Sequence, residues 1–145
     1  IGAAVSISGD DRGLSHRDWL LMHRERAALR AAWAECFRRV DVVLCPVAIV
    51  PAFEHLQAGA WDTRVLQING RERRYLEMEG WPALVGAAYL PSTSVPVGRS
   101  GGLPVGMQVV APFLHDRRAI RVGAWLAEVS GGGYVVPPVV GGGAA

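Results

Sequence analysis

The sequence contains no lysine: all fifteen of its basic side chains are arginine. Arginine keeps its proton at any physiological pH, so chemistry that needs a titratable amine lies outside these residues. A Schiff base, a lysine general base and a phosphate-loop lysine are all excluded. We read the all-arginine usage as a GC-rich coding bias. Cysteine is nearly as scarce. Cys36 and Cys45 are too few for a disulfide framework, and they point to a reducing cytoplasm with both thiols buried. The longest apolar run, residues 42–53, is interrupted by Pro46 and Pro51 and is too short to span a bilayer. The N-terminal residues lack the basic region of a signal peptide, and the first residue, Ile1, reads as the start of a piece of something longer. A formal net charge of +2 gives no reason to expect nucleic acid or an anionic membrane as partner. Internal repeats are absent as well.

What is present reads as globular: half of the 145 residues are hydrophobic and 19% are charged, the makeup of one domain or part of one. The central stretch is 90–110, L-P-S-T-S-V-P-V-G-R-S-G-G-L-P-V-G-M-Q-V-V. It predicts two apolar strands, about 93–97 and 105–110, joined by a glycine-rich turn and buried between layers. Upstream, Ser15 and Asp18 fit a capping box, with Leu14 and Trp19 placed as a hydrophobic staple. The helix they open is expected to reach Arg39, with Met22, Leu29, Trp33, Cys36 or Phe37, and Val40 as its apolar stripe. A buried strand follows over 40–47 and stops at Pro46. Residues 48–63 are loop-like. Asn69-Gly70 between extended segments is a hairpin signal. A helix is expected from between Met78 and Trp81 to Tyr89, with Pro82 in its first turn. Asp116 is expected to cap a last helix to Val129, with Ala119, Val122, Trp125, Leu126 and Val129 on one face and Gly131-Gly132-Gly133 as its stop. The order α, β, hairpin, α, β, β, α implies a layered α/β arrangement with helices on a mixed sheet.

No catalytic constellation emerges from the residues themselves. His16, His23, His55 and His115 are not at metal-ligand spacing with one another, with cysteine or with a carboxylate. Cys45 lies in an apolar run with nothing nearby to lower its pKa, so it reads as a small buried hydrophobe. Residues 98–102, G-R-S-G-G, have the glycine content of a phosphate cradle, but neither a lysine nor a helix follows. Ser92, Ser94 and Ser100 are outside any G-x-S-x-G pattern and have no identifiable base. The arginine-rich face of the first helix is interleaved with acids and reads as a solvated surface.

Several segments in succession nevertheless resemble the C-terminal part of amidase signature family enzymes. They are R-D-W-L at 17–20, R-A-A-W-A-E-C-F-R-R-V-D-V-V-L-C-P-V at 30–47, P-A-F at 51–53, Q-I-N-G at 67–70 with Tyr75, and L-P-S-T-S-V-P-V-G at 90–98. G-L-P-V-G-M-Q-V-V-A-P at 102–112 with Asp116, and G-G-Y-V-V-P-P at 132–138, complete the series. The resemblance implies an α/β/α layered fold with a mixed sheet. Beside a loop over 1–13 and a flexible Gly/Ala tail over 139–145, both read from the residues themselves, the resemblance takes in the C-terminal part of an amidase domain over 14–138. It also implies a cytoplasmic hydrolase that converts a carboxylic amide to a carboxylate plus ammonia or an amine. The family uses a nucleophilic serine, a bridging serine and a lysine. This sequence has neither that Gly/Ser-rich signature nor a lysine, so no catalytic residue is assigned and the chain alone is expected to be inactive. Trp81, Leu84 and Val85, on the helix before the L-P segment, are the substrate-contact candidates that the resemblance implies. No metal or cofactor is implied. The expected partner is a small-molecule amide bound by the whole protein, without nucleic acid or membrane, and a homodimer is an open assembly. The alternatives are a fragment of one subunit of an amidotransferase for misacylated tRNA, and a non-catalytic interaction module with the same fold remnant.

Overall fold

A computed structural model describes residues 13–131. The expectations for residues 1–12, for G-G-Y-V-V-P-P at 132–138 and for the 139–145 tail lie outside the described residues. Helix α1 spans His16–Cys36 and opens as its sequence dictates. The Ser15 Oγ accepts the Asp18 backbone N–H at 3.1 Å and donates to the Asp18 carboxylate at 2.6 Å. The staple does not form a covered contact. Leu14 is exposed, and the half-exposed Trp19 ring stacks on both His16 and His23, at 6.0 and 5.1 Å between centroids. The helix ends at Cys36, short of the expected Arg39, and not one of its residues is buried. Cys36 is half-buried and Val40 exposed, against the expectation for both, because little in the described residues packs over that side of α1.

Strand β1, Val43–Pro46, leads through an irregular segment and a single 3-10 turn to the hairpin of β2, Val65–Ile68, and β3, Arg71–Arg74. Asn69 and Gly70 both take positive φ, 53° and 74°, the backbone that a two-residue turn needs to match strand twist. At the exit of β3 the Arg73 Nε donates to the Glu77 carboxylate at 2.6 Å and the Arg74 N–H donates to it at 3.1 Å. The Arg73 hydrogen bond first, and then the Arg74 N–H, hold the Glu77 carboxyl below the usual carboxylate range. A depressed carboxyl pKa contributes stability above the unfolded value, about 4.3 for glutamate, and loses it as pH falls through the lower folded value. Glu77→Gln is therefore expected to flatten the acid limb of a denaturation-midpoint profile below about pH 4.3. A profile identical to that of the parent chain would show that the contact carries no stability.

Helix α2, Gly80–Ala87, starts within the expected window and holds Pro82 in its first turn. Strands β4, Ser92–Ser100, and β5, Leu103–Val110, form the expected antiparallel hairpin, longer than predicted, with an irregularity between Pro96 and Gly98. Strand β1 pairs antiparallel with the far edge of β5, so the sheet order is β1-β5-β4. Every strand pairing among the described residues is antiparallel, so the parallel pairs that the expected mixed sheet requires are not found among them.

Register divides the side chains between two layers, because directly opposed residues share a face. Thr93, Val95, Met107 and Val109 face helix α3, Asp116–Ser130. Val43, Cys45, Ser92, Gln108 and Val110 face the opposite way. There Cys45 and Val110 form a buried cluster with Val85 of α2, against which Phe37, Val43 and Leu90 pack. The expected layered α/β arrangement is thus present, with helices on both faces of the sheet. Burial is concentrated at the β1 side and fades toward the β4–β5 turn, where residues 98–104 are exposed.

Helix α3 differs from its prediction in two ways. His115, not Asp116, occupies the N-cap position, and its side chain makes no capping bond. Trp125 and Val129, expected on the buried face, are 63% and 68% exposed, whereas Ala119 and Gly123 are the buried positions. The helix approaches β4 so closely at Gly123 that a Cβ there would lie 3.0 Å from Val95 Cγ2. Close approach of this kind selects the small residue and turns the larger ones outward.

Candidate functional site: an apolar cleft at the end of the sheet

The chain leaving β1 turns across the end of the sheet and forms one wall of a cleft of about 530 Å³. Val47, Ile49 and Val50 contribute from that segment, Ser94 and Pro96 from β4, and Gly106 from β5. Gly106 makes the closure possible, since a Cβ at that position would stand 3.2 Å from Val47 Cγ2. The lining carries no ionisable side chain. Its chemistry is therefore that of a wall: it can exclude water from a bound molecule and set its shape, but it cannot move a proton.

Two of the potential nucleophiles, Cys45 and Ser92, are engaged elsewhere. Cys45 is buried beneath the sheet and its Sγ accepts from Gln108 Nε2 at 3.4 Å, while Gln108 Oε1 accepts the Ser92 hydroxyl at 2.9 Å. This polar chain crosses three strands and satisfies a buried amide. No base stands in it. The four histidines remain apart: His16 and His23 flank Trp19, His55 lies in an exposed loop, and His115 precedes α3. No group of three or more metal-ligating side chains occurs among the described residues.

Trp81, Leu84 and Val85 all sit on α2, and none lines the cleft. Trp81 is 37% exposed, Leu84 is half-buried, and Val85 is 3% exposed within the core cluster. The cleft residues themselves were missed from sequence. The one signal for them was the proline-interrupted apolar run after β1, too apolar for an ordinary surface loop.

A family model described as Amidase matches residues 5–120. The chain belongs to the amidase family. Among curated relatives, a glutamyl-tRNA(Gln) amidotransferase subunit of Tropheryma whipplei (strain TW08/27) is 32% identical over 106 residues, covering 73% of this chain and 18% of the relative. The protein of the same name from Methylococcus capsulatus is 32% identical over 104 residues, covering 72% of this chain and 19% of its own length. The chain thus spans about a fifth of the length of the curated amidase relatives it matches. Among solved structures, one described as an amidase superimposes with a TM-score of 0.68 at 25% identity, covering 80% of this chain and 26% of that one. A bacterial aryl acylamidase of the amidase signature family gives a TM-score of 0.65 at 24% identity, covering 83% of this chain and 24% of its own, and supports the fold. For this amidase segment the layered fold and the family agree with the resemblance. Among the described residues, no helix is long and apolar enough to cross a membrane.

Proposed function

We propose that residues 14–138 are the C-terminal sheet-and-helix layer of a cytoplasmic amidase that hydrolyses a carboxylic amide to a carboxylate and ammonia or an amine. The nucleophile and base come from polypeptide outside these 145 residues. The observation that carries this reading is the family match over residues 5–120 in a sequence without a single lysine. The apolar cleft, whose lining carries no ionisable side chain, fits a layer that supplies no catalytic group. The chain by itself is expected to show no amide hydrolysis, and the polypeptide that also carries the Gly/Ser-rich and lysine region is expected to be active. Turnover by the 145-residue chain, blocked by a serine reagent, would overturn the reading.

Trp81, Leu84 and Val85 are proposed as contributors to the acyl pocket of that whole enzyme. Trp81 is the member that can be altered without opening the core. In the active polypeptide, Trp81→Ala is expected to raise KM for an aryl amide by about tenfold, the effect of losing one apolar contact region, with little change for acetamide. An equal change for both amides would remove Trp81 from the pocket.

A second reading has a specific observation behind it: the curated relatives cited above are named as amidotransferase subunits. In that case the activity would be amidation of glutamyl-tRNA(Gln) in the presence of partner subunits. An assay with and without those partners separates the two. Activity on simple amides without any partner favours the stand-alone amidase.

A further inference from the structure

A second cavity, of about 510 Å³, lies between α1, the turn from α2 into β4, and the turn from β5 into α3. Phe37, Leu90 and Pro112 give it an apolar floor, and Arg30, His115 and Arg118 give it a cationic rim. No carboxylate lines it. Arg118 is already engaged, donating to the Asp41 carboxylate at 3.2 Å. Arg30 is not. Arg30 is half-buried as a residue, and its guanidinium carbon lies 5.5 Å from the centre of the Tyr89 ring and 4.7 Å from that of Phe113. Among the described residues it has no hydrogen-bond acceptor and no ion pair. A guanidinium held between two aromatic faces keeps its planar fork of donors free at the edge, the geometry that pairs two-to-two with a carboxylate.

The backbone around this cavity is strained in two places. Tyr89 has φ 59° and Leu114 has φ 63°, and with Asn69 of the hairpin turn they are the only non-glycine positive-φ residues among those described. Tyr89 and Leu114 each sit between two cavity-lining residues. Tyr89 occupies the left-handed position that ends α2, where Leu90 N–H reaches back to Val85 O at 3.2 Å. Leu114 occupies the third position of a turn closed by His115 N–H to Pro112 O at 2.9 Å. Both are sites that glycine takes freely and a large side chain does not. At Tyr89 the large side chain has a use, since its hydroxyl accepts from Arg26 at 2.5 Å and its ring stacks Arg30. Both left-handed residues thus fall at the edge of one cavity.

We propose that this cavity binds a small organic carboxylate. The acid's oxygens take hydrogen bonds from Arg30, and its apolar body lies on Phe37, Leu90 and Pro112. The volume of about 510 Å³ falls within the range of pockets that hold one small molecule. The proposal does not rest on the amidase reading. Amide hydrolysis does release an acid of this class, but binding is measured without turnover, so failure of the site and absence of activity are seen separately.

The test is calorimetric titration of benzoate into the full chain. Saturable binding at a single site is expected, weakened roughly tenfold or more in Arg30→Gln, as loss of a charge-assisted hydrogen bond requires. Arg24→Gln, on an exposed position of the same helix, is expected to bind as the parent does. Circular dichroism reports whether Arg30→Gln has kept its fold. If it has not, the parent chain still decides the matter: benzoate must bind roughly tenfold more tightly than acetate, because only benzoate reaches the apolar floor. Absence of saturation, equal affinity in a folded Arg30→Gln, or equal affinity for acetate and benzoate each overturns the proposal.

Discussion

A leucine in place of Gly123 is expected to lower the stability of the chain by about 3 kcal/mol, the upper part of what overpacking a core costs. A Cβ at this position would already stand 3.0 Å from Val95 Cγ2 and 3.1 Å from Thr93 Cγ2. Neither strand residue can give way easily. Val95 is 5% exposed, and both are β-branched side chains fixed at χ1. The remaining relief is to lift α3 from β4, which would expose Val95 and Val109. Alanine should fall between the two, because its helix propensity returns about 1 kcal/mol relative to glycine while its methyl group meets the same strand. Urea midpoints of the parent, alanine and leucine forms are expected to descend in that order. A leucine form with the parental midpoint would mean that α3 does not cross the sheet at this distance.

The second large effect is expected from Gln108→Glu. The Gln108 side chain is 5% exposed and bonded on both sides, accepting from Ser92 and donating to Cys45. A glutamate keeps the length and the acceptor but loses the donor and introduces a buried charge, for a loss of about 3 kcal/mol at neutral pH. The pH dependence identifies the cause. Burial raises the folded pKa of the new carboxyl above its unfolded value of about 4.3, so below that pH both states are neutral and the penalty is small. It grows as pH rises through the raised folded value. The difference between parent and variant midpoints should therefore widen from about pH 4 to about pH 7.5. Gln108→Met removes the polar group without adding charge and is expected to show no such widening. A pH-independent difference for the glutamate form would place residue 108 in contact with water.

What could be read from sequence was chiefly what local chemistry decides. Ser15 and Asp18 start a helix because a hydroxyl three residues before an N–H can satisfy it, whatever packs above. Asn69-Gly70 turns the chain because those two residues tolerate left-handed backbone. The α3 face was read less well. Periodicity weighs the side chains that are present, so it placed Trp125 and Val129 inward and passed over Gly123, whose contribution is the absence of a side chain. The apolar stripe of α1 is genuine as a pattern, yet none of its residues is buried, since burial depends on what else is there to cover it. The cleft was illegible for a related reason. Its walls come from the segment after β1 and from two strands some fifty residues further on, and no window of sequence contains both.

The weak attachment of α1 has a consequence for how the chain opens. Among the described residues the helix is held mainly by Arg26 and Arg30 against Tyr89 and Phe113, and by Phe37 just beyond its end, rather than by a core of its own. At 21 residues it exceeds the length of about 12–15 below which an isolated helix is marginal, so it can persist in part without the sheet. Helix and sheet are then two cooperative units in one chain. In hydrogen exchange, the amides of α1 should open at a low free energy while those of β5 wait for the global transition. Far-ultraviolet circular dichroism, which weighs α1 heavily, should not superimpose on a probe placed at Val109.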